Sequence, residues 1–131
     1  MTKPHDWIEF AREDLVLAEF ALEKGIYNQA CFHAQQGIEK ALKAFLRLQQ
    51  GSVPKIHGLG ELVAICRSLD GDFVKLEETC AKLDPYYIPT RYPDVLPGAG
   101  AEGLPTKLEA EEAVLLFRDG LRWVEEKLRQ S

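Results

Sequence analysis

The stretch from Gly25 to Gln50, GIYNQACFHAQQGIEKALKAFLRLQQ, constrains this chain more than any other. Ile26, Ala30, Ala34, Ile38, Ala41, Phe45 and Leu48 recur at steps of three or four, and Leu42 and Leu46 widen the stripe. That spacing is one face of a helix. Beside it runs a polar stripe of His33, Gln36, Lys40 and Lys43, with Gln35 and Glu39 alongside. The polar row has two readings. It borders a site, or it is a solvated face in which Glu39 and Lys43 form an i,i+4 pair contributing about 0.2–0.5 kcal/mol. Periodicity alone favours the solvated face.

The flanking chain reads the same way. Pro4 suits a first helical turn, and Asp6 and Glu9 suit the positive end of a helix over 4–24. Its apolar face reads as Trp7, Phe10, Ala11, Leu15, Ala18 and Leu22, with Ala21 close by. Asp14 lies beside that face, either half-exposed or reaching a basic residue on a neighbouring helix. Gly25 closes this helix, and the second runs over 27–49. Gly37, inside it, costs about 1 kcal/mol relative to Ala and permits close approach of another helix. Gly51-Ser52-Val53-Pro54 breaks the pattern. A third helix is expected over 57–68, with His57 in its first turn, where the positive end favours a neutral imidazole. A short helix follows over 73–83. Thr106 and Glu109 have capping-box spacing and open a last helix over 106–129.

No strand pattern and no internal repeat are visible. The expectation is an all-α fold in one domain, residues 1–131. It is an up-and-down bundle of four main helices plus a short one. A long loop, residues 85–105, precedes the last helix and holds five of the seven prolines. Loops beyond about 12–15 residues inside a compact domain are uncommon and usually functional or disordered.

Composition narrows the function. A net charge of −5 argues against a non-specific grip on nucleic acid, though not against a local basic site. No run approaches the roughly 18 apolar residues of a membrane span, and MTKPHDW offers no apolar signal region. Cys31, Cys66 and Cys80 are odd in number and widely spaced, which fits buried thiols in a reducing, cytoplasmic setting. No spacing suits a zinc site, and no metal or cofactor is expected. Phosphate loops and the HExxH and GxSxG motifs are absent.

One constellation remains, Arg91-Tyr92-Pro93-Asp94 in the proline-rich loop. An arginine fork suits phosphate or carboxylate. Tyr92, Tyr86 and Tyr87 offer stacking faces for a base, and Lys40 and Lys43 add charge. The alternative is that Arg91 pairs with Asp14, Glu39 or Asp94 and braces the loop.

These residues together resemble the HEPN domain family (higher-eukaryote and prokaryote nucleotide-binding). Residues 7–18 give W-x3-A-x2-DL-x2-A, and residues 27–43 give Y-x2-A-x-F-x3-Q-x2-EKALK. Residues 57–62 give H-x-L-x2-L, and 91–94 give RYPD. The resemblance implies a four- or five-helix bundle, usually a homodimer. It also implies a minimal nucleotidyltransferase as frequent partner, in pairs that often act as toxin–antitoxin systems. Many relatives are metal-independent ribonucleases using R-x4–6-H near the last helix. Here none of the seven arginines is followed by a histidine at that distance. The resemblance is to a branch with the RYPD loop. It carries over Gln36, Lys40, His57, Arg91, Tyr92 and Asp94 as binding candidates, and Lys43 joins them by its place in the polar row.

The leading expectation is a non-catalytic helical binding module that engages a nucleotidyltransferase partner, a nucleotide or RNA. A second is a ribonuclease with a rearranged site, His57 as acid–base and Arg91 as phosphate clamp. A third is a structural dimerisation domain.

Overall fold

The structure, a computed structural model, describes residues 3–87 and 104–130. Helix α1 spans Pro4–Glu23, α2 Tyr27–Gln50, α3 Leu59–Leu69, α4 Glu77–Leu83 and α5 Lys107–Arg129. A 3₁₀ turn, Gly71–Leu76, leads into α4, and another, Asp84–Tyr86, follows it. No strand occurs among the described residues. The expected all-α bundle is therefore present, and the expected short helix is a 3₁₀ turn continued as α4. Of the long loop, residues 88–103 lie outside the described residues.

Local chemistry sets the helix ends. Gly25 and Gly51 have φ of 77° and 75°, the left-handed conformation that lets the chain leave α1 and α2. Thr106 and Glu109 form the capping box at the start of α5, with Thr106 Oγ1 accepting from the Glu109 amide at 3.2 Å. Helix α3 begins at Leu59, two residues later than its sequence suggests. His57 is therefore in the approach to the helix and not in its first turn. The argument for a neutral imidazole from the helix end does not apply to it. The Leu59 amide, an orphan donor at that end, is met by Asp84 Oδ1 at 2.9 Å.

Helix α2 is the centre of the bundle. It packs on α1, α3, α4 and α5, and α1 also packs on α5. Phe45, Ile38, Leu42 and Leu46 on α2 are fully enclosed with Phe73, Phe117, Leu59, Leu62 and Leu121 from the other elements. Ion pairs Arg12–Glu125 and Arg118–Glu19 tie α1 to α5 in antiparallel register. All three cysteines are buried, and burial pushes each thiol up to about 12.

The α1 face is the one its sequence suggests, except that Phe10 lies outside it and Ile8 inside. Ile8, Ala11, Ala18 and Ala21 are its buried apolar residues, and Phe10 is 42% exposed. Trp7, Leu15 and Leu22 are partly buried against the core. Small residues dominate the contact face, so α1 and α2 lie close together. At the α2 stripe's ends, Ile26 and Leu48 are also exposed.

Gly37 explains itself in the packing. A β-carbon there would overlap the tip of the Phe117 ring on α5, nearest Cζ. Gly120 makes the reciprocal approach, where a β-carbon would lie 2.8 Å from Ile38 Cδ1. Substitution Gly37→Ala is expected to destabilise the fold by about 1–3 kcal/mol, because overpacking outweighs the helix-propensity gain. Urea unfolding of the two proteins measures this, and a stabilised variant would refute the packing account.

Candidate functional site

The polar stripe of α2 is where this core departs from an ordinary one. Asp14, Gln35, Glu39 and Lys43 are all buried. Burying an ion without a partner costs several kcal/mol, so each needs a partner held in place. Two ion clusters supply them for Asp14, Glu39 and Lys43, and Gln35 bonds to the His57 backbone and to Gln36.

The first joins α1 to α2. Asp14 Oδ2 accepts from Lys40 Nζ at 2.7 Å, and Asp14 Oδ1 lies 2.9 Å from His33 Nδ1. Asp14 thus reaches basic residues of the neighbouring helix, the sharper of its two sequence readings. The second cluster joins α2 to the segment before α3. Glu39 Oε2 lies 3.0 Å from Lys43 Nζ and 3.1 Å from His57 Nδ1. The Glu39–Lys43 pair expected at i,i+4 is present, but it is enclosed and not on a solvated face. Trp7 covers it, with Lys43 Nζ 5.8 Å from the ring centroid.

His57 is held three ways. Glu39 orients its ring, and buried Gln35 Nε2 donates to its backbone oxygen at 3.3 Å. Tyr87 stacks on the ring, with centroids 5.3 Å apart and planes 9° from parallel. The imidazole is still 55% exposed. A carboxylate at Nδ1 selects the Nδ1–H tautomer of the neutral ring and leaves Nε2 as an acceptor. His33 beside Asp14 follows the same logic at 23% exposure. Two buried polar atoms, Glu39 Oε1 and Trp7 Nε1, have no partner among the described residues.

The structure thus brings Lys43 and His57 together through Glu39. It sets Lys40 on Asp14, and Gln36 donates to Gln35 Oε1 at 2.7 Å. Arg91, Tyr92 and Asp94 lie outside the described residues. His33 and His57 contact different carboxylates, and no group of three or more His, Cys, Asp or Glu suited to a metal occurs among the described residues. Of the two described tyrosines expected to offer stacking faces to a base, Tyr87 lays its ring on His57. Tyr86 packs against the core, and burial raises its hydroxyl well above the usual range. Gln35 and Glu39 were flankers in the sequence. Their signal was position, because they fall between the polar row and the apolar stripe, where a polar group must be partnered. A cleft of about 270 Å³ lined by Pro4, Ile8, Arg12, Leu48, Glu125 and Leu128 shares no lining residue with the polar arc.

The buried pair has a measurable signature. Glu39→Leu leaves Lys43 enclosed without its carboxylate and is expected to cost about 3–5 kcal/mol. The double variant Glu39→Leu/Lys43→Met should recover much of that loss. Denaturant unfolding of the four proteins gives the coupling, and additive losses would mean the pair is not coupled in the core.

Comparison with known proteins agrees with this architecture. The HEPN domain model matches residues 4–127. The crystal structure of TT1696 from Thermus thermophilus is 44% identical, covering 97% of this chain and 99% of that one, with a TM-score of 0.80. ST0689, described as an archaeal HEPN homologue, is 32% identical with a TM-score of 0.75, covering 97% of this chain and 98% of that one. No curated protein matches the chain. With a family model over almost its whole length and two full-length structural relatives above 30% identity, this chain belongs to the HEPN domain family.

Proposed function

We propose that this HEPN domain is a homodimeric, non-catalytic binding module whose polar α2 arc receives a nucleotide. It works beside a minimal nucleotidyltransferase partner in a toxin–antitoxin-like pair. The observation that carries the nucleotide reading is the His57–Tyr87 stack, seated on the buried Glu39–Lys43 pair. An aromatic pair in parallel contact, one ring half-exposed, is a platform for a purine or pyrimidine face. Lys40, partly exposed on the same helix, supplies a cation for phosphate. Asp14 and Glu39 are each engaged by a lysine and a histidine, which suits a pre-organised binding surface.

The ribonuclease reading has one observation of its own. Glu39 orients His57 so that Nε2 is left as an acceptor, the arrangement of a general base. Calorimetry with ATP, other nucleoside triphosphates and short single-stranded RNA tests both readings, with RNA cleavage followed on the same samples. The binding module predicts saturable nucleotide binding, weakened roughly tenfold or more in His57→Ala by loss of stacking, and no cleavage. Absence of binding across the panel would sink the nucleotide reading. Cleavage that disappears in His57→Ala would replace it with the enzyme. Co-elution with a co-expressed nucleotidyltransferase tests the partner.

A further inference from the structure

The exposed side of α1 carries a second pattern, independent of the polar arc. Asp6, Phe10, Glu13, Leu17, Phe20 and Lys24 succeed one another at steps of four, three, four, three and four. That is the seam spacing of a helix that packs along another helix. Phe10, Leu17 and Phe20 are 42%, 48% and 55% exposed, so no described element of the same chain covers them. Lys24 Nζ reaches back over the Phe20 ring at 5.5 Å.

The outer positions of the seam are complementary about its centre. A two-fold axis across α1 near residue 15 places residue i of one protomer against residue 30−i of the other. Phe10 then meets the partner's Phe20, and Asp6 meets the partner's Lys24, each pair occurring twice. The central pair sets Glu13 over the partner's Leu17, where the glutamate stem packs and its carboxylate lies at the rim. A parallel pairing would instead set Asp6 on Asp6 and Lys24 on Lys24, like charge on like charge. We infer that the homodimer forms through antiparallel packing of α1 on α1, with the Asp6–Lys24 pairs fixing its direction. A second copy is the occupant because an isologous contact must be self-complementary, and the Asp6–Lys24 and Phe10–Phe20 pairs of this seam are so. The inference rests on the homodimeric reading above and adds the surface and the register.

Sedimentation equilibrium of the full chain tests it, with circular dichroism confirming that each variant folds. Leu17→Glu, an exposed substitution, is expected to weaken dimerisation about tenfold or more. Asp6→Lys and Lys24→Glu should each weaken it, and the double reversal Asp6→Lys/Lys24→Glu should restore it. Restoration supports the antiparallel register. A dimer indifferent to Leu17→Glu overturns the α1 surface while leaving the homodimer intact. A dimer that Leu17→Glu weakens but the double reversal does not rescue overturns the register. A wild-type chain that is monomeric at all concentrations removes both the dimer and its surface.

Discussion

Everything distinctive about this bundle depends on keeping charge inside it. Asp14, Glu39 and Lys43 are enclosed by the helices that make up the core. Each is enclosed against partners that must hold position, and those partners come from three separate elements. Asp14 is on α1, Glu39 and Lys43 are on α2, and His57 is on the segment entering α3. A hydrophobic core tolerates small slips of one helix along another. A carboxylate that must meet a lysine at 2.7–3.0 Å tolerates far less. The ion clusters therefore fix the register of α1 on α2 and anchor the α3 approach, even where they add little net stability.

The close α2–α5 contact complements them from the other side. Gly37 receives the Phe117 ring, and Gly120 lies against Ile38. With α5 seated directly on the backbone of α2, the polar residues of α2 are left to α1 on one flank and to the His57 segment on the other. The site and the packing are thus two consequences of one helix. Its apolar and small residues receive neighbours closely, and its polar arc is held between α1 and α3.

The helices and their caps were legible in the sequence because local chemistry sets them. Gly25, the Thr106–Glu109 box and the stripe of α2 act over a few residues, and the structure places them where they were read. Periodicity finds the buried arc of α1 but not its edges, so Phe10 is counted inside and Ile8 is not. Phe10 and Leu17 lie on one side of α1, and Ile8, Ala11 and Ala18 on the other. Tertiary packing of α2 on the alanines decides where that edge falls. The same limit hid the enclosure of Glu39 and Lys43, since an i,i+4 pair looks alike on a surface and in a core. His57 was found by its family pattern, but its role depends on Glu39, Gln35 and Tyr87, which come from distant points in the chain.

The central claim is that a buried carboxylate holds His57 in one orientation and one tautomer, making it a prepared contact at the protein surface. Nitrogen-15 NMR of the imidazole reads this directly, because protonated and unprotonated ring nitrogens have different shifts. The account predicts that neutral His57 carries its proton on Nδ1 and loses that preference in Glu39→Leu/Lys43→Met, which removes the acceptor. A proton on Nε2 in the native protein, or a tautomer unchanged in that variant, would contradict it.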